Sequence, residues 1–292
     1  MVPAQLVDRI VARAGFLDPL GSLVQSWVGK GIKAGGPAAD YTKQFLNGSW
    51  LGHPLHPALT AVPLGSWIGS SLLDVADAGQ GGGLGQAADV LLGAGCVAGT
   101  ATALTGLADW QDSYGHERDV GLTHALVNSA ALLLSTTSLG LRLAGRRRPA
   151  VKLSLLALGL AGSGGYLGGE LVFRFGQQVN RNAFTEGPDK WQEVAPDAEI
   201  EEGVFLRKQV GNNKVLLTRV QGTICAASAV CPHAGGPLDE LPLEDGELRC
   251  PWHGSHFDIR TGRVTHGPAT SPNVVFQTRV REGKVELRRP PL

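Results

Sequence analysis

Two short stretches place thiol and imidazole side chains at metal-ligand spacing. CPHAGG (231–236) separates Cys231 from His233 by one residue, and CPWHGSHFD, beginning nineteen residues after Cys231, separates Cys250 from His253 by two. Two cysteines and two histidines can close a tetrahedral zinc site. Zinc fingers, however, usually draw both cysteines from one knuckle and both histidines from a helix, and here each loop supplies one of each. That division suits a two-iron cluster, one iron taking both thiolates and the other both imidazoles, which makes the cluster less negative and raises its potential. Gly235, Gly236 and Gly254 would let backbone N–H groups approach the bridging sulfides, while Pro232, Pro251 and Pro268 would stiffen the surrounding loops.

The remaining chemistry-bearing residues lie where the chain turns apolar. Runs without charge extend over 57–73, 90–108 and 120–141, and a fourth, 153–169, is flanked by Lys152 and Glu170. Their length suits bilayer crossing, and Gly95–Gly99 and Gly164–Gly168 have the spacing that lets helices touch closely in lipid. A soluble helical bundle is the alternative. With four spans, His56 opens the first, Asp109 closes the second, His124 opens the third and Glu170 closes the fourth, so all four fall at one membrane face; His53 sits a turn before His56. Ionisable groups at membrane depth usually mark function. His53 or His56 with His124 could ligate a b-type haem, or the histidines with Asp109 and Glu170 could take protons from a quinol; equally, these residues could only cap and border the helices.

The elements that must hold these groups follow from composition. The chain of 292 residues is long enough for two domains, carries a formal charge of zero and has 41 glycines, concentrated in its first two thirds. That charge leaves no footprint for nucleic acid. Residues 1–49 read as a helical segment, with Leu6, Val7, Ile10, Val11 and Ala14 at amphipathic spacing; 50–177 as a four-helix transmembrane domain; 178–195 as a polar linker; and 196–292 as a small antiparallel β domain of short alternating runs such as NKVLLTRV and NVVFQTRV. The fold class is therefore a four-span α-helical membrane bundle followed by a small all-β domain. Cys96 and Cys225 read as isolated buried thiols. The third loop carries Arg142, Arg146, Arg147, Arg148 and Lys152 against Lys43, Arg118, Arg174 and Arg181 on the opposite face, a count that favours an extracytoplasmic β domain. RRPAVK (147–152) loosely resembles a twin-arginine signal, which agrees with export, whereas a cluster domain without a disulfide suits the reducing cytoplasm.

CPHAGGPL and CPWHGSHFD resemble the two cluster-binding boxes of Rieske [2Fe–2S] proteins, and TGRVTHGPA resembles that family's proline-bearing loop, over residues 195–292. The resemblance implies a cluster on Cys231, His233, Cys250 and His253. Respiratory members add a cysteine to each box; Gly236 and Trp252 stand there instead, so that disulfide is missing. The resemblance keeps Ser255 as a donor to the cluster sulfur, while Phe257 replaces a donating tyrosine, which implies a lower potential than the respiratory type. His256 and His266 read as surface residues. HPLHP (53–57), GLADW (106–110), THALVN (123–128) and GYLGGELVFRFG (165–176) resemble a bacterial family of four-helix membrane domains of uncharacterised function. Together these imply a membrane-anchored one-electron carrier in contact with lipid, exchanging electrons with a quinol or haem site or a separate redox protein, its head free to move on the linker. A redox or iron sensor with the helices as plain anchor is the alternative.

Overall fold

A computed structural model describes residues 3–77 and 83–290. They form two compact units, one holding the chain up to Leu46 with Leu55–Gln177, the other Asn47–Pro54 with the chain from Gln178 onward.

The first unit is helical: α1 (Pro3–Arg13), α2 (Leu17–Asn47), α3 (Leu55–Ala76), α4 (Gly83–Trp110), α5 (Gly115–Leu143) and α6 (Arg147–Gly169), the last running into a π-helical turn at Glu170–Arg174. α2 breaks at Gly36, just before Pro37. The four helices from α3 onward are long and apolar enough to cross a membrane. Their side chains are arranged inside out relative to a water-soluble bundle. The interior is filled by small groups, among them Ala88, Ala131, Ser138, Ala157 and Ala161, while Leu72, Val90, Val97 and Leu133 are each at least 65% exposed. Lipid accepts Leu and Val on the outside, and close helix contact needs small residues within. Each expected glycine pair receives a side chain from a facing helix. A Cβ on Gly95 would sit 2.5 Å from the Trp67 indole, and Gly164 and Gly168 lie against Asn128 and His124.

Four charges, one from each of α3 to α6, meet inside this bundle. Arg142 donates to both oxygens of Asp74 (2.5 and 3.0 Å), to Asp89 (2.8 Å) and to Ser154 (2.9 Å). Arg147 donates to Asp89 and Asp74 and to the Gly85 carbonyl. The side chains of Arg142 and Asp74 are wholly buried. Two of the five basic residues counted for the third loop are thus neutralised inside the bundle. On the opposite face Lys43, Arg118 and Arg174 are also paired with aspartates, so the charge count does not decide the side of the β domain.

The amphipathic start packs on protein: Val11 and Leu17 join Trp110, Val120, Leu122, Leu167 and Leu171 in one cluster, with Val7 and Ala14 beside it. Asp8 fastens α1 by accepting two bonds from the Arg174 guanidinium, both 2.9 Å, and one from His116. Arg174 first and His116 second hold its carboxyl down at about 2, against an ordinary 3.8. A depressed carboxylate contributes stability above its unfolded pKa, and that contribution disappears as pH falls through about 2. Hydrogen exchange of α1 should therefore be faster in Asp8→Asn than in the wild type at pH 7, and the two should converge near pH 2.

The strands of the second unit pair antiparallel. A six-stranded sheet runs in the order β1 (Gln192–Pro196), β9 (Lys284–Arg288), β8 (Val275–Arg281), β4 (Thr223–Ser228), β3 (Asn213–Val220), β2 (Leu206–Val210); a three-stranded sheet runs β5 (Glu247–Arg249), β6 (His256–Asp258), β7 (Val264–His266). Along β3, Val215 and Leu217 enter one core, with Ile224, Phe276 and Leu287. Leu216 and Val220 enter the other, with Leu248, Phe257 and both cysteines of the boxes. The expected linker is a correction. Arg181 N–H donates to the Pro232 carbonyl, Asn182 bonds Val230 and Asn273, Arg289 N–H donates to Pro188, and β1 pairs with β9. Residues 178–195 are held to the β unit by these bonds, while Glu186, Asp189, Lys190 and Glu193 stay exposed.

Candidate metal centre

β4 and β5 each deliver the chain into one of the two boxes, and the boxes are the same loop twice. Cys231 N–H donates to the Gly236 carbonyl and Gly235 N–H returns a bond to the Cys231 carbonyl, at 2.8 and 2.9 Å; Cys250 N–H donates to the Ser255 carbonyl and Gly254 N–H returns to Cys250, at 2.8 and 3.1 Å. The turn that closes each loop needs a left-handed residue, met by Gly235 (φ 84°) and Gly254 (φ 77°). Gly236 is required for space: a Cβ there would lie 2.8 Å from the Cys250 sulfur and 3.1 Å from the Trp252 indole.

The loops present their ligands in two layers. Cys231 and Cys250 are buried to within 2% in the core around Phe257, and His233 and His253 are half-buried. The thiols are close enough to share a hydrogen bond, which is the main cause that draws Cys250 down to about 6 and pushes Cys231 up. Backbone N–H groups of His233 and Ala234 bond the Cys231 sulfur, and those of Trp252 and His253 bond Cys250. Those N–H groups favour the thiolate at each sulfur, while burial opposes it. The two imidazole rings stand 5.1 Å apart, centre to centre, at 88°. Two imidazoles on one tetrahedral metal, bonded at about 2 Å, have ring centres about 5 Å apart. Among the described residues no three His, Cys, Asp or Glu side chains gather as a single ion would require. The division of the set into two buried thiols and two half-buried imidazoles is the one a pair of irons would share.

Around these ligands, Ser255 is fully buried and its Oγ accepts the Ala269 N–H at 3.0 Å, which leaves its own proton to donate. Pro268 is buried beside Ala269, and Phe257 is buried in the cysteine core. Cys225 sits in β4 and Cys96 in α4, both buried and unlinked. His256 and His266 face each other across β6 and β7, half-buried, with ring centres 5.1 Å apart and His256 bonded to Glu247 at 3.1 Å.

Of the five residues read as a haem or quinol site, the structure brings two together. His56 and His124 stand 6.1 Å apart, ring to ring. Asp109 is buried three residues beyond Gly106 on α4. Glu170 accepts from Tyr166 and Arg174. His53 lies outside the bundle unit, exposed, its Nδ1 against the Pro54 carbonyl. Sequence reading missed Asn128, whose amide lies over the His124 ring, and the Thr102 and Gly164 carbonyls. The small residues of α4 and α6 were the available signal.

Residues 190–282 match the Rieske [2Fe-2S] domain family, and residues 52–181 match a family described as predicted membrane protein (DUF2231). Ferredoxin CarAc of Metapseudomonas resinovorans is 31% identical over 96 residues, covering 32% of this chain and 90% of its own. The ferredoxin component of the naphthalene 1,2-dioxygenase system of Pseudomonas aeruginosa is 30% identical over 99 residues, 34% of this chain and 95% of that one. Apoptosis-inducing factor 3 of Mus musculus is 37% identical over 90 residues, 31% of this chain; the match spans only 15% of that protein's length. Fold, boxes and relatives together define a Rieske-type iron–sulfur domain. The chain belongs to the Rieske [2Fe–2S] family, its cluster domain fused behind a DUF2231 membrane domain.

Proposed function

We propose that this protein is a membrane-anchored one-electron carrier whose [2Fe–2S] cluster is held by Cys231, His233, Cys250 and His253. The observation that carries this reading is the doubled loop, with two thiols in its core and two imidazoles at the spacing of a shared metal. When bound, the cluster supplies one-electron redox chemistry and makes no product of its own. The chain's residues do the rest. The N–H groups around the cysteines favour the thiolate form, Ser255 donates into the site, and the half-buried imidazoles with the half-exposed Trp252 offer the surface through which an electron passes. The inside-out bundle supports anchoring in lipid. A separate redox protein is one exchange partner at that exposed edge, in keeping with the relative named as the ferredoxin component of a naphthalene 1,2-dioxygenase system; the second exchange point is a haem or quinol site in the bundle.

His253→Cys tests the ligand assignment. The variant should keep two irons per chain but shift its EPR signal away from the Rieske type toward that of an all-cysteine cluster, with His233 still bound. Its potential should fall toward the plant-type range, since a thiolate in place of a neutral imidazole makes the cluster more negative. An unchanged Rieske signal would sink the assignment.

A further inference from the structure

We propose that His56 and His124 are the two axial ligands of a b-type haem inside the helical bundle. Each ring is oriented by the helix beside it. His56 Nδ1 donates to the Thr102 carbonyl on α4 at 2.9 Å, and His124 Nδ1 donates to the Gly164 carbonyl on α6 at 2.8 Å. A carbonyl oxygen only accepts, so both Nδ1 atoms carry the proton and both Nε2 atoms keep a lone pair; the one on His124 lies 3.4 Å from the Asn128 amide nitrogen, which a metal would have to displace. A carbonyl partner on the second nitrogen is the usual support of a metal-binding histidine.

The spacing identifies the kind of centre. An imidazole nitrogen lies about 1.1 Å from its ring centre, so two rings bound at about 2 Å on opposite sides of one iron stand about 6.2 Å apart. The observed separation is 6.1 Å, with the planes crossed at 82°. The cluster imidazoles, which share one side of a metal, are a full ångström closer at 5.1 Å. Among the described residues no third His, Cys, Asp or Glu joins the pair to hold a bare ion, whereas a haem brings four nitrogens and asks the protein for two. The rings lie against glycines of the flanking helices: a Cβ on Gly106 would be 2.8 Å from His56 Cε1, and one on Gly168 would be 3.2 Å from His124 Cε1.

This inference rests on the membrane-anchored carrier reading for its setting, yet the two are measured separately. The full chain is produced with iron and a haem precursor, purified in detergent, and assayed for pyridine haemochrome, low-spin haem EPR and cluster EPR in one sample. About one b-type haem per chain is expected. His56→Ala and His124→Ala should each retain less than a tenth of it with the cluster signal intact. Full cluster signal without haem in the wild type overturns the proposal and leaves a quinol or no ligand at the pair. Haem that survives both alanine variants overturns it too. If an alanine variant also loses its cluster, His124→Met decides: haem should be kept with a higher potential, as Met/His ligation gives, and an unchanged potential contradicts the assignment. Haem present with no Rieske signal would instead sink the cluster reading alone.

Discussion

Arg142→Leu should destabilise the helical bundle by about 3–5 kcal/mol, the loss expected when one partner of a buried ion pair is removed. The size follows from what stays behind. Asp74 is fully buried, and its carboxylate loses the guanidinium bonded to both of its oxygens, with Arg147 reaching only one of them. Arg142 spreads its donors over Asp74, Asp89, Ser138 and Ser154, so its loss also strips polar groups on α3, α4, α5 and α6. The double variant Arg142→Leu with Asp74→Leu should recover most of the loss. It leaves the Asp89–Arg147 pair balanced, and apolar replacement of a buried pair is often neutral. Thermal unfolding in detergent measures both. A single variant as stable as the wild type would show that the pair contributes nothing.

Gly236→Ala should weaken cluster retention by about 1–3 kcal/mol, the usual cost of forcing a methyl into a filled core. The new carbon would meet the Cys250 sulfur at 2.8 Å and the Trp252 ring at 3.1 Å, and neither can retreat without moving the second loop. Gly235→Ala meets a different obstacle, a left-handed backbone that costs about 1–2 kcal/mol but leaves the sulfur untouched. Iron and acid-labile sulfide per chain should therefore fall further in Gly236→Ala than in Gly235→Ala. Full iron content in Gly236→Ala would mean that the loops do not approach as closely as described.

The two Cys–His loops were legible because each pair is local: one or two residues separate the thiol from the imidazole in each. The expected strands from 203 onward appear in place, since alternation and turn residues are local signals. β1 was missed because its short run follows a polar stretch; those polar residues find their partners in Val230, Pro232 and Asn273, distant in sequence. The bundle was legible as four neutral runs, but Asp74, Asp89 and Arg142 fall just beyond those runs. They lie within the helices, and they pair across them. Pairing between helices has no signature in any one of them. The same reason made His56 and His124 plausible together but left Glu170, which spends its carboxylate on Tyr166 and Arg174, indistinguishable from them.

The most direct test of the central claim is EPR spectroscopy and metal analysis of the chemically reduced protein in isolated membranes. A Rieske-type signal with two irons and two sulfides per chain, remaining with the membranes after a high-salt wash, is the result this account predicts. One zinc per chain without a paramagnetic signal, or a Rieske signal released into the wash, would contradict it.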